Sequence, residues 1–295
     1  MKLDNYGMFK TISKEYLVEE YLIKKRSTIE IGKDLKASHH LILSALQYHG
    51  IHKSDRYPDE LSLKQTQFIY GTMMGDGCAF LSNSSNDKYR DSGNNNARLK
   101  LKHSNDQKEW LFEKFNVLNP PGEKGWTNYT SPKYYSEYDA RYKHYNSGWI
   151  FETCAHQVFT PVYYLFYQNG SIEGDKKVIT MQILSHLENP YSLAVWFMDD
   201  GSISYQGFIK KDGSQSCSGI HIATMCFSHE EHLLMQTWFK DFWDLKCTIQ
   251  NRGKNKKGIE KFALVFHGRE NMQKFANIVR PYIIPSMEYK LKGLI

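Results

Sequence analysis

Two aspartates stand in the same unfavourable place in two separate stretches of this chain. Phe68-Ile69-Tyr70-Gly71-Thr72-Met73-Met74-Gly75-Asp76-Gly77 and Ser192-Leu193-Ala194-Val195-Trp196-Phe197-Met198-Asp199-Asp200-Gly201 are each a mostly apolar helical run that ends in Asp-Gly. A helix carries partial negative charge at its C-terminal end, so an aspartate there opposes the macrodipole, and burial sharpens the conflict. One such stop, with glycine as the cap, is an ordinary way to end a helix. The same breach made twice points to a site, and a divalent cation held by both carboxylates is the natural compensation. Side by side, the two helices bring Asp76 and Asp200 to one centre. Gly71 and Gly75, four residues apart on one face, let backbone approach backbone. The corresponding second-run residues are Val195 and Asp199, with Ala194 a further small residue.

The elements that must hold these helices also come in duplicate. After Gly77 there is an Asn/Ser/Gly-rich loop from Ser82, then Arg98-Leu99-Lys100-Leu101-Lys102; after Gly201, a Lys/Gly/Ser loop from Lys210, then Ile220-His221-Ile222. Alternation in the first of these puts Arg98, Lys100 and Lys102 on one sheet face, suited to phosphate contact. A helix follows in each, Asp106 to Phe115 and Ser228 to Phe242, then further strands and a closing helix. The order helix, two strands, helix, two strands, helix therefore occurs twice, which makes an internal repeat. The fold class is α/β (α+β), two pseudo-symmetric repeats over residues 57–185 and 186–295.

Residues 1–56 read as a separate all-α module. Tyr16 to Leu22 has helical periodicity, Ser27-Thr28-Ile29-Glu30 has the form of a capping box, and Ser38 can cap a third helix that Gly50 ends. This pattern resembles a helix-turn-helix, whose third helix would offer Ser38, His39 and His40 to DNA. Lys24, Lys25, Arg26, Lys33 and Lys36 surround the turn and favour that reading over a plain three-helix bundle.

Charge is modest overall, 38 Lys+Arg against 32 Asp+Glu for a net +6, but uneven. Between Lys246 and Lys292 there are 11 basic and 3 acidic residues, among them Lys254, Lys256 and Lys257 as candidate phosphate contacts. The five cysteines form no C-x-x-C pair and no disulfide framework, which fits a reducing compartment. No run approaches a membrane span, and the N-terminus lacks an apolar signal core. An intracellular location is expected, in a bacterium, a phage-infected cell or an organelle.

Both motifs resemble the nine-residue segment that names the LAGLIDADG homing endonucleases, at Ile69 to Gly77 and more closely at Leu193 to Gly201. The resemblance runs from about Leu61 to the end. It includes the branch with a monomeric, intron-encoded, two-repeat chain, whose C-terminal Arg-Pro-Tyr-Ile-Ile-Pro-Ser-Met-Glu-Tyr-Lys-Leu pattern here is Arg280 to Leu291. It implies a saddle of two sheets lying in the major groove of double-stranded DNA. It also implies metal-dependent cleavage of both strands at a long asymmetric site, with short 3′ overhangs.

By the same resemblance Asp76 and Asp200 bind the metals, assisted by the carbonyls of Gly75 and Asp199, and Lys177 and Lys290 are the basic residues that orient water and stabilise phosphate charge. Mg2+ is the implied ion, with Mn2+ expected to substitute and Ca2+ to support binding without cleavage. Lys102 occupies the polar position after the first hairpin, and Ala223-Thr224-Met225 the second. Two other readings remain: a regulator that binds DNA on this scaffold without cutting, and an RNA maturase that assists splicing of its host intron RNA. His229-Glu230-Glu231-His232 has its histidines three apart and reads as a helix cap rather than a zinc motif. His103 reads as a core or surface histidine, and Tyr134, Tyr135, Tyr138, Tyr142 and Tyr145 as a strand region that could face DNA, with sheet packing the favoured role.

Overall fold

A computed structural model of the chain describes residues 8–81, 96–139, 144–167, 176–205, 217–256 and 258–294. Lys257, Tyr142 and most of the two polar hairpin loops lie outside these residues, as does the side chain of Tyr145.

The N-terminal part is a small helical unit with its own core. Helix α1 (Lys14–Leu17) runs on as a π-helical stretch, Val18–Ile23. Helix α2 (Thr28–Asp34) opens with the capping box of Ser27 and Glu30. Helix α3 (His39–Tyr48) is capped by Ser38, whose hydroxyl accepts the Leu41 N–H, and the chain leaves it through Gly50 at φ +66°. Leu17, Ile31, Ile42, Ala45 and Leu46 pack together beneath these helices.

Two halves of the same order follow. The first is α4 (Leu63–Met74), β1 (Cys78–Leu81), β2 (Ala97–Ser104), α5 (Lys108–Leu118), β3 (Lys133–Asp139), β4 (His144–Glu152) and α6 (Thr160–Phe166). A short α7 (Met181–Ser185) leads to the second: α8 (Pro190–Asp200), β5 (Gly201–Tyr205), β6 (Cys217–Ile222), α9 (His229–Trp243), β7 (Cys247–Lys254), β8 (Glu260–Phe266) and α10 (Arg269–Val279). Each half forms an antiparallel sheet, ordered β1-β2-β4-β3 and β5-β6-β8-β7. One continuous apolar core joins them, with Trp110, Trp196, Trp238, Phe197 and Phe239 buried in it.

Strand β2 shows why the sheets have two unlike faces. Ala97, Leu99, Leu101 and His103 are buried, while Arg98, Lys100 and Lys102 between them are half-exposed. The period of two therefore gives one face to the core and the other to basic side chains.

The halves meet along α4 and α8. A Cβ on Gly71 would lie 2.5 Å from the Ser192 carbonyl oxygen, and one on Gly75 would overlap the side chain of Asp199. Glycine at these positions is what allows the contact, in the pairing with Val195 and Asp199 that the sequence suggests. Ser192 ties the start of α8 to α4 by donating from its hydroxyl to the Gln67 carbonyl at 2.7 Å.

Candidate metal and nuclease centre

The two motif helices end differently, and the difference shapes the site. Asp200 is the last residue of α8, whereas α4 stops at Met74, so Asp76 lies beyond a helix end instead of on it. The N–H groups of Gly75 and Gly77 both turn back to the Thr72 carbonyl, at 3.1 and 2.8 Å. The side chain of Asp199 occupies the space beside Gly75.

Asp76 clusters with His103 and Asp199, and its charge reaches Asp200. Burial raises the carboxyl of Asp200 to about 8, and the charges of Asp76 and Asp199 push the same way. Asp76 is raised too, by burial first and then by Asp199, although its side chain keeps 42% exposure and Lys114, Lys290 and Lys177 oppose the shift. Asp76 raises Asp200 and Asp199 raises both, so the carboxylates are a destabilising cluster, and a divalent cation would relieve the conflict by supplying positive charge. Their donor atoms are hard oxygens, which suit a divalent cation of the Mg2+ or Ca2+ kind. On that test the residues fit the metal.

Lysines close the backbone around them in matching fashion. Lys177 Nζ donates to the Gly75 carbonyl at 2.8 Å, and Lys290 Nζ to those of Met198 and Asp199 at 2.6 and 3.0 Å. Gly75 and Asp199 are equivalent residues of the two repeats, so the carbonyls expected as metal ligands are each joined to a lysine. Burial lowers the pKa of both lysines, while nearby carboxylates, Asp200 among them, favour the ammonium form.

Three groups at the centre escaped the sequence reading. His103, 1% exposed in its side chain, places Nδ1 3.6 Å from Asp76 and Nε2 3.8 Å from Asp199. Burial, then Lys114, pushes its pKa down to about 4, so the imidazole is neutral at physiological pH. Trp110 and the fully buried Lys114, both on α5, reach Asp199 from beneath. A lysine on the buried stripe of an amphipathic helix was the available signal. Lys102 is not at the centre: it lies on the outer sheet face, over the Tyr135 ring and 3.4 Å from Glu137. The β2 alternation explains the displacement, because it sends His103, not Lys102, inward.

The other basic candidates on the first sheet are paired across strands. Arg98 and Lys100 both approach Glu152, at 3.3 and 3.7 Å, and the Arg98 guanidinium lies over Phe80. Lys254 and Lys256 are exposed near the β7–β8 turn. Tyr134 and Tyr138 lie on the edge strand β3 with exposed side chains, and Tyr134 packs edge-on against Trp149 of β4 at 5.6 Å. In the second half Thr224 is buried and bonded to His232 Nε2 at 2.8 Å, and Ser228 with Glu231 forms the expected capping box.

The N-terminal module presents His39 and His40 in the open, their rings 3.9 Å apart, while the Ser38 hydroxyl is used by the helix cap. The basic turn is less available than its composition suggests. Lys24 and Arg26 are each 2.7 Å from Glu20, Arg26 also pairs with Asp34, and Lys25 donates to the carbonyls of Gly125 and Thr127 at 3.0 and 2.8 Å. Lys25 thus docks the module on the first repeat, and Lys33 and Lys36 are left exposed.

Paired motif helices, each followed by a four-stranded sheet and meeting at an acidic centre, define a single-chain pseudo-dimer. The chain belongs to the LAGLIDADG DNA endonuclease family, whose model matches residues 66–275. It is 28% identical over 232 residues to the cytochrome b mRNA maturase bI2 of Saccharomyces cerevisiae, covering 78% of this chain and 48% of that protein. It therefore spans about half the length of that relative. A probable intron-encoded DNA endonuclease 3 of Mycosarcoma maydis is 30% identical over 141 residues, 48% of this chain and 90% of that one. The fold is that of the homing endonuclease I-WcaI, solved bound to its DNA recognition sequence, with TM-score 0.61 and 23% identity over 85% of this chain and 92% of that chain. Among the described residues no helix is long and apolar enough to cross a membrane.

Proposed function

We infer that the chain is a site-specific DNA endonuclease that makes a Mg2+-dependent double-strand break with short 3′ overhangs at a long asymmetric site. The observation that carries this reading is that Asp76 and Asp200, at the ends of the two packed motif helices, are each raised by burial and by neighbouring carboxylates. Those carboxylates hold the metal, which supplies an activated water and charge neutralisation on the phosphate when bound. Lys177 and Lys290 place positive charge beside the same centre and fix the backbone that carries it. Repeat 1 is residues 57–185 and repeat 2 residues 186–295. Arg98, Lys100, Lys102, Lys254, Lys256 and Lys257 contact double-stranded DNA along the sheets, and residues 1–56, through Ser38, His39 and His40, extend the contact.

The test is cleavage of a plasmid library carrying randomised inserts, with Mg2+ and with Ca2+. Recovered linear molecules sharing one sequence and short 3′ ends are expected in Mg2+ alone. Intact plasmids throughout, despite retention of one sequence in Ca2+, would leave the non-cutting regulator. A maturase role is the second reading, favoured by the similarity to bI2, and splicing of a host intron RNA with and without the protein decides it.

A further inference from the structure

The carboxylate of Asp199 is wholly buried and lies against Asp76 and His103 at the edge of the metal centre. Its Oδ1 accepts from Lys114 Nζ at 2.6 Å and from Trp110 Nε1 at 2.7 Å. Its Oδ2 accepts from the Thr72 hydroxyl at 2.9 Å and from the backbone N–H of Asp76 at 3.3 Å. Lys114 in turn donates to the Thr72 hydroxyl at 2.9 Å. Every one of these partners belongs to the first repeat, although Asp199 belongs to the second. The equivalent residue of the first repeat is Gly75, which has no side chain to return the contact, and whose missing Cβ leaves the room that Asp199 fills.

Stability alone gives little reason for this arrangement, since apolar groups of the same shape commonly serve a core as well as a buried ion pair does. Geometry gives a better one. The N–H that Asp199 holds is that of Asp76, a residue past the end of α4 whose backbone the helix no longer fixes. Asp200 has no such need, because it is the last residue of α8 itself, whereas the lysines hold the preceding carbonyl alike in both repeats.

We propose that Asp199 and Lys114 form a one-sided positioning pair, in which a carboxylate of the second repeat orients the backbone of Asp76 in the first. This rests on the nuclease reading given above. Its consequence is an asymmetry between the two strand cuts: loosening the pair displaces Asp76 and leaves Asp200 in place.

The experiment compares the full chain with D199N/K114M, which removes both buried charges at nearly constant volume and leaves no lone ammonium in the core. Asparagine offers one acceptor oxygen where aspartate offers two, so it cannot serve both the Trp110 side and the Asp76 N–H. Three measurements are made: deuterium exchange of the peptide spanning Gly75 to Gly77 without metal or DNA, DNA affinity in Ca2+, and single-turnover cutting of each strand in Mg2+. Exchange at the Asp76 amide is expected to rise by about tenfold or more. One strand is expected to be cut about tenfold more slowly than the other, with nicked circles accumulating, while affinity changes by less than about threefold.

Unchanged exchange with both strands cut at wild-type rates overturns the proposal and leaves the nuclease reading intact. Unchanged exchange with both strands slowed equally also overturns it, because the pair is then only a structural support. A wild-type chain that cuts no DNA overturns the nuclease reading, and the exchange result still decides whether Asp199 orients Asp76. Should the double variant not fold, T72V removes the hydroxyl between Lys114 and Asp199 without leaving a charge unpaired, and the same outcomes apply.

Discussion

Lys177 closes the end of the first motif by donating from Nζ to the Gly75 carbonyl at 2.8 Å, and Lys290 does the same for Asp199 at 3.0 Å. The two lysines therefore have a structural bond as well as an electrostatic role. Replacing either with methionine should slow single-turnover cutting by about a hundred- to a thousandfold, the roughly 2.7–4 kcal/mol expected for a lost stabilising group. Thermal stability should fall by about 1.5–3 kcal/mol for the single charged hydrogen bond of Lys177, and by more for Lys290, which makes two. A fall in DNA affinity with no change in the cutting rate would make them simple phosphate contacts.

Asp76→Asn and Asp200→Asn should each abolish double-strand cleavage in Mg2+ and leave binding in Ca2+ largely intact, as followed by gel shift and plasmid linearisation. Full cleavage by the Asp76 variant would remove that residue from the metal site.

Without divalent metal, the Asp200 carboxyl makes stability depend on pH. It titrates near 3.9 in the unfolded chain and near 8 in the folded one. The folded state thus holds a proton that the unfolded state has released, and stability falls as pH rises through that window. In EDTA, Asp200→Asn should melt above wild type at pH 9, and the gap should close toward pH 4. Mg2+ should raise the wild-type melting temperature more at pH 9 than at pH 6. Parallel curves for the two proteins would show that Asp200 is not strained in this way.

The glycines of α4 should resist substitution. Gly71→Ala sets a Cβ against the Ser192 carbonyl and Val195, and a cost of about 1–3 kcal/mol is expected for overpacking of this kind. Chemical denaturation reads it directly, and an unchanged midpoint would mean that α4 and α8 separate without penalty.

Removal of Met1 to Arg56 should leave a folded nuclease, because the main core begins with Tyr57. The shortened protein should cut the same site but bind it less tightly, with a shallower dependence on salt as phosphate contacts are lost. Equal footprints and equal salt slopes would show that His39 and His40 do not touch the target.

The sequence by itself determined the duplicated order of elements, the helix caps at Ser27, Ser38 and Ser228, and the matching places of Asp76 and Asp200 in the two motifs. These rest on local physics and on repetition: capping is a matter of three residues, strand alternation of two, and a motif seen twice needs no contact map. It also indicated the close approach at Gly71 and Gly75, since glycines four apart leave a visible gap on a helix face. Only the tertiary structure decided what that gap admits. The insertion of Asp199 beside Gly75 joins residues more than a hundred positions apart, and its capture by Lys114 and Trp110 joins residues on different repeats. The inward turn of His103 in place of Lys102 depended on where β2 begins its alternation relative to the core. The commitment of Lys24, Lys25 and Arg26 to neighbouring carboxylates and carbonyls was equally hidden, because a count of positive charge does not say which cations the folded chain has already used.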